Sequence, residues 1–190
     1  MSSQLKTYLT PAEYLAIERK AEDRSEYFNG EMFAMSGASR RHNLIVTNIV
    51  REISQQIKGK PCEVYSNDMR VKIPATGLYT YPDVVVVCDA PKFEDEYIDT
   101  LLNPVVIIEV LSDSTEKYDR GQKFAHYRGI ESLAEYMLVA QDNFKVEQFT
   151  KRSDKQWLMT EKGSLEDEIK LISIECVLQL REVYDKVTLP

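Results

Sequence analysis

The sequence predicts an α/β fold, and three observations carry that prediction. Val84-Val85-Val86-Val87-Cys88 and Val105-Val106-Ile107-Ile108-Glu109-Val110-Leu111 are unbroken runs rich in β-branched residues, the pattern of central strands buried on both faces. From about His42 to Lys58, Ile45, Val46, Ile49, Val50, Ile53 and Ile57 recur at helical spacing, so one face of a long helix is buried. Asn29-Gly30 stands between two short strand-like segments, the signature of a tight hairpin.

Taken in chain order, Thr10-Pro11 opens a helix that runs to about Lys20, with Thr at the cap, Pro at the first position and Glu13 in the capping-box place. The hairpin follows, with Glu26 to Phe28 before its turn and Glu31 to Met35 after it. Gly59 and Pro61 stop the long helix. Cys62 to Tyr65 and Met69 to Ile73 read as strands, and Pro74 and Gly77 mark a loop. The two apolar runs are expected to be sheet neighbours. Ser112 to Thr115 offers caps for a helix through about Arg128, ended by Gly129. Tyr136 to Ala140 and Phe144 to Phe149, joined at Asp142-Asn143, read as a second hairpin, and a short helix around Cys176 to Tyr184 is expected to close the chain.

At 190 residues, with 43% hydrophobic and 29% charged side chains, the chain has the size and composition of one globular domain spanning residues 1–190. Its apolar runs are far shorter than the roughly 20 residues that cross a bilayer. The first ten residues lack the features of an export signal, so the cytoplasm is the expected compartment. Cys62, Cys88 and Cys176 form no metal-ligand pair, their odd number argues against a disulfide framework, and Cys88 is expected in the core. A formal charge of −7 weighs against nucleic-acid binding, although a local basic stretch is compatible with a negative total.

The most informative residue is Glu109, a carboxylate inside an apolar strand, where an unpaired charge costs several kcal/mol. Asp83 precedes the other apolar run, so two neighbouring strands bring both acids to one end of the sheet. Two carboxylates that close repel, and a divalent cation relieves the repulsion while organising water and a phosphate oxygen. Mg²⁺ suits such hard oxygen donors, with Mn²⁺ as a substitute. Asp119, Lys123 and Tyr127 share a helix face at spacings of four, and Lys123 is the candidate to hold a phosphate or assist the attacking water.

Tyr81-Pro82-Asp83, Glu109-Val110-Leu111-Ser112-Asp113-Ser114, then Asp119, Lys123, Tyr127, Gly129 and Glu135-Tyr136 form an ordered pattern. It resembles the Uma-two family of putative restriction endonucleases, within the PD-(D/E)XK nuclease superfamily. The resemblance spans roughly Leu9 to Val139 and takes in the Asn29-Gly30-Glu31 turn and His42. It implies a restriction-endonuclease-like core, a mixed central β-sheet flanked by helices, with Asp83 and Glu109 as metal ligands and DNA as substrate. The superfamily places a lysine two residues after the second acid, where this chain has Leu111; Lys123 is the residue whose charge takes that place. Nucleases of this type cut both strands by pairing active sites, which implies a homodimer or higher closed oligomer.

Each assignment has a plainer alternative. Asp83 serves equally as a strand-start cap after Pro82, Lys123 as a surface partner of Asp119, and His42 as a capping or core residue. Glu31 either completes the acid cluster or is a solvated hairpin charge. His126 and Glu94-Asp95-Glu96 read as solvated surface, and Tyr118 and Tyr127 as packing residues. A catalytically inactive relative that uses the fold as a binding or association module remains a rival reading, as does a hydrolase of small phosphate esters.

Overall fold

The computed structural model describes residues 8–112, 114–152 and 156–189. Helix α1 (Pro11–Glu18) starts at a full capping box: the Thr10 hydroxyl accepts the Glu13 N–H, and the Glu13 carboxylate accepts the Thr10 N–H at 2.7 Å. The expected hairpin forms from β1 (Ser25–Phe28) and β2 (Glu31–Ala34). Its turn residues have φ of 49° at Asn29 and 86° at Gly30, the left-handed pair that a two-residue turn requires. A Cβ at position 30 would also stand 2.6 Å from the Tyr8 ring.

The long helix α2 (Arg40–Gln56) is capped by Ser39, whose hydroxyl accepts the His42 N–H. Five strands follow: β3 (Cys62–Ser66), β4 (Arg70–Ile73), β5 (Leu78–Thr80), β6 (Val84–Cys88) and β7 (Thr100–Leu101). Next come β8 (Val106–Val110) and a continuous helical stretch in three parts: α3 (Glu116–Tyr118), a π turn (Asp119–Lys123) and α4 (Phe124–Tyr127). Strands β9 (Glu135–Val139), β10 (Val146–Lys151), β11 (Trp157–Lys162), β12 (Glu168–Leu171) and β13 (Cys176–Gln179) and helix α5 (Leu180–Val183) complete the described chain.

The main sheet has six strands in the order β11-β10-β9-β8-β6-β3. It is mixed: β8 and β9 run parallel, and the other neighbours run antiparallel. The parallel pair needs a crossover, and the α3–π–α4 stretch supplies it. One face of this sheet, including Val84, Val86, Val106, Ile108 and Val110, packs against Ile45, Val46, Ile49 and Ile53 of α2 and against the β12–β13 and α5 region. The other face, including Val85, Val87, Ile107, Leu111 and Leu138, packs against Tyr127 and residues of a second sheet of order β2-β1-β5-β4-β7. Burying a side chain such as Ile49 contributes about 1.5–3 kcal/mol, so these two layers dominate the cohesion of the fold.

Several expectations need correction. The closing segment is not one helix, because Cys176–Gln179 pairs with β12 as a strand before the short α5. The second hairpin forms as expected from β9 and β10, but the connection that holds Asp142-Asn143 is longer than expected, running from 140 to 145, and neither residue has positive φ. Cys62 and Cys88 face each other across β3 and β6 and form a disulfide, while Cys176 is free and buried. Parity of the cysteine count could not reveal a pair brought together by strand register. Asp113 of the motif lies outside the described residues. Among the described residues, no helix is long and apolar enough to cross a membrane.

Candidate active site

The site forms where the chain leaves the smaller sheet and enters the larger one. Thr80 ends β5, and Tyr81-Pro82-Asp83 leads directly into β6. The pairs Val84–Ile108, Val85–Ile107 and Val86–Val106 set the β6–β8 register, and one step further along it places Asp83 opposite Glu109. Both acids therefore fall at the same end of adjoining strands. Alternation puts Glu109 on the face of Ile107, beneath the crossover helix. The Val110 N–H donates to Asp83 Oδ2 at 2.7 Å, and His42 Nε2 lies 3.1 Å from the same oxygen.

Lys123 reaches down from the end of the π turn. Its ammonium is buried 2.9 Å from Glu109 Oε1, 3.3 Å from Glu26 Oε1 and 3.5 Å from Asp119 Oδ1. Leu111, where the superfamily places its lysine, is instead packed in the apolar layer. The Tyr127 hydroxyl donates to Glu109 Oε1 at 2.7 Å. Tyr136 fixes the helix above by donating to the Asp119 carbonyl at 3.0 Å. Asp119, Lys123 and Tyr127 thus converge on one spot although a π turn interrupts the helix, and π turns recur at functional sites.

The charges do not balance. Asp83, Glu26, Glu109 and Asp119 gather around one ammonium and one imidazole. Burial pushes the Glu109 carboxyl up to about 8; Lys123 opposes the rise, and Asp119 and Asp83 add to it. Burial raises the Asp119 carboxyl as well, again against Lys123. Burial alone would lower the Lys123 ammonium, but Glu109, then Tyr127, Glu26 and Asp119, outweigh it and hold the group charged.

An excess of carboxylate oxygens fits a hard divalent cation. Among the described residues, no three His, Cys, Asp or Glu side chains converge tightly enough to cage a metal. A pair of carboxylates is the donor set that Mg²⁺ commonly uses while keeping several waters. The contacts described for Glu109 fall on Oε1 and those for Asp83 on Oδ2, so among the described residues Glu109 Oε2 and Asp83 Oδ1 are the oxygens left for a cation.

Of the residues picked out in the sequence, Asp83, Glu109, Lys123 and His42 line one cleft of about 860 Å³. Glu31 does not line it; the residue sits at the turn end of the hairpin, opposite Phe28. The hairpin acid that reaches the site is Glu26, which also accepts a hydrogen bond from Thr80 Oγ1. Tyr127 proves to be a hydrogen-bond donor to Glu109 rather than a packing residue alone. Outside the site, His126 is half-buried, edge-on to Phe28. Glu94 and Asp95 are held by Lys72 and Arg19 rather than solvated, whereas Glu96 is exposed. Glu135 of the motif lies at the far end of β9, where it accepts hydrogen bonds from Gln148 and from the Ile172 and Ser173 N–H groups.

Residues 11–181 match the Uma2 family, described as "Putative restriction endonuclease". Two proteins of Synechocystis sp. are similar over most of their length. "Uncharacterized protein sll1609" is 42% identical over 153 residues, covering 80% of this chain and 86% of its own. "Uncharacterized protein slr1290" is 36% identical over 151 residues, covering 80% and 78%. The fold is that of a crystal structure from Anabaena variabilis described as "a putative nuclease belonging to DUF820", with a TM-score of 0.78, 17% identity and coverage of 95% of this chain and 99% of that one. At that identity the likeness concerns the fold.

Proposed function

We propose, on the premise that the chain belongs to the Uma2 family of putative restriction endonucleases, that it is a magnesium-dependent endonuclease hydrolysing DNA phosphodiester bonds. The observation that carries this reading is the placement of Asp83 and Glu109 at one end of adjoining strands, with the Lys123 ammonium 2.9 Å from Glu109.

Asp83 and Glu109 would hold Mg²⁺, or Mn²⁺ in its place. When bound, the cation supplies Lewis acidity toward a phosphoryl oxygen and makes water more acidic. The Val110 N–H and His42 keep Asp83 aimed along the sheet end, and Tyr127 and Lys123 do the same for Glu109. Lys123 offers a positive charge in a water-poor setting, where it opposes the negative charge that builds on phosphorus oxygens during in-line attack. No covalent bond to the protein is needed.

The reading extends to a homodimer or higher closed oligomer, each of whose clefts acts on a single strand. It also extends to the cytoplasm, where the substrate is found. A reducing cytosol would open the Cys62–Cys88 bond, and strand register keeps the two residues adjacent either way. One observation favours a second reading, a silent relative that only binds: among the described residues, eight carboxylate side chains line the cleft against three cations, Arg24, Arg41 and Lys123.

Supercoiled plasmid and single-stranded oligonucleotide, each incubated with Mg²⁺ or Mn²⁺, separate the two readings. Wild type is expected to cut, with Asp83→Ala and Lys123→Ala slower by about 10²-fold or more. Calorimetric titration should show that Asp83→Ala loses affinity for the cation while Lys123→Ala retains it. Undiminished cutting by Lys123→Ala would remove that residue from the mechanism. The absence of both cutting and cation binding in wild type would favour the silent relative.

A further inference from the structure

An exposed aromatic ring and a cation that has no ion-pair partner among the described residues line the cleft. Phe33 on β2 is 49% exposed and lines the cleft beside Met35, itself 39% exposed. The β1–β2 register places Phe33 directly across from Glu26, so the two side chains share one face of the hairpin. Glu26 in turn touches Lys123. The ring is therefore one cross-strand step from the acid cluster, about the separation between a phosphodiester and the base of a neighbouring nucleotide. Arg41 also lines the cleft, in the first turn of α2, and has no ion-pair partner among the described residues. A cation in that turn opposes the helix dipole, and no acid in the turn offsets it. Among the described residues, neither belongs to the packed apolar clusters.

The dimensions and charge of the cleft narrow the choice of substrate. A volume of about 860 Å³ falls within the range of ligand pockets and has room for a few nucleotide units beside the acid cluster. Duplex docking also draws on several Lys and Arg residues aligned with the phosphates, whereas carboxylates predominate here. An unpaired strand needs fewer such contacts, because base faces free of the helix can stack on aromatic rings.

We propose that the cleft selects an unpaired DNA strand, with one base stacked on Phe33 and a phosphate adjacent to the scissile one held by Arg41. This rests on the nuclease reading above and adds the substrate class. Met35 supplies apolar surface beside the ring, and the acid cluster, loaded with its cation, receives the scissile phosphate.

Fluorescence anisotropy with a labelled thymidine oligonucleotide, and with a duplex of equal length at the same salt, tests the proposal separately from cleavage when Ca²⁺ replaces Mg²⁺. Wild type is expected to bind the strand at least roughly 10-fold more tightly than the duplex. Phe33→Ala should weaken strand binding by roughly 5- to 100-fold, and Phe33→Trp should retain it. Arg41→Ala should weaken it and lower the slope of log affinity against log salt by about one. Phe33 is exposed, so thermal melting of these variants should match wild type and exclude misfolding as the cause. Duplex binding equal to strand binding, or a Phe33→Ala protein that binds the strand as wild type does, overturns the proposal. Phe33-dependent strand binding without cutting in Mg²⁺ would overturn the nuclease reading and leave the stacking site standing.

Discussion

Two ionic clusters, one around buried Arg70 and one around buried Lys123, flank Tyr81 and are built to different ends. On one side Arg70 is satisfied at all three guanidinium nitrogens: Nε donates to Thr100 Oγ1 at 2.9 Å, Nη1 to the Tyr81 hydroxyl at 2.8 Å, and Nη2 pairs with Asp99 at 2.9 Å. The Tyr81 hydroxyl donates to Glu18 Oε1 at 2.8 Å, and Arg19 holds Asp95 and Asp99. On the other side a single ammonium, Lys123, serves Glu26, Glu109 and Asp119, with Asp83 next to them. The first cluster sets two guanidiniums against Glu18, Asp95 and Asp99, so its charges come close to cancelling, and it ties α1 to the small sheet. The second leaves negative charge over, which costs stability and makes sense where a cation is to be received. A buried carboxylate therefore says little about role until its partners are known.

The largest effect expected from this contrast is on the balanced side. Arg70→Met removes the donor that Tyr81, Thr100 and Asp99 share, and should lower unfolding stability by about 3–5 kcal/mol in urea titrations, as for other broken buried pairs. A loss below about 1 kcal/mol would show that the network is worth no more than a surface pair. In the opposite direction, Glu109→Gln removes one of the competing charges around Lys123. It should raise stability by about 1 kcal/mol while abolishing cutting, the trade expected where function holds a site away from its most stable composition. Destabilisation by Glu109→Gln would mean that the acid cluster is structural after all.

The smallest effect concerns Asp99, whose carboxyl is held well below the usual range, first by the Arg19 hydrogen bond and further by Arg70. A carboxyl depressed in the folded state adds stability above its unfolded value, near 3.9, and that contribution is lost as pH falls through the folded value. The melting temperature of wild type should therefore exceed that of Asp99→Asn at pH 6, and the gap should narrow as pH drops from about 5 to about 2. A gap independent of pH would assign the difference to hydrogen-bond geometry alone.

What the sequence disclosed and what it concealed divide along the same physical line. The valine run and the run bearing Glu109 were legible because burial on both faces leaves a continuous apolar signature, and their adjacency brought Asp83 with it. Lys123 was legible because helical spacing is local, even with a π turn inside the helix. Glu26 was not: it reaches Lys123 only because β1 pairs with β5 through Tyr27 and Tyr79, and β5 is a three-residue strand with no alternating pattern of its own. Glu31, directly after the Asn29-Gly30 turn, carries the stronger local cue. Cys62 and Cys88 meet through a register between distant segments, and Cys176–Gln179 takes strand form from its partner β12. Such features depend on tertiary pairing, which no short window of sequence contains.

The π turn at Asp119–Lys123 carries a consequence for how this segment can change over time. In such a turn the backbone gains about one residue relative to an α-helix, so the stretches before and after it are out of phase by that residue. Side-chain identities at exposed positions such as Gln122 are free to drift, because they touch neither sheet. Chain length is not free. Deleting one residue would wind the turn back to α geometry and swing Asp119 or Lys123 by roughly 100° about the helix axis, away from Glu109. Relatives that keep the chemistry should therefore differ here by substitution and hardly ever by a gap.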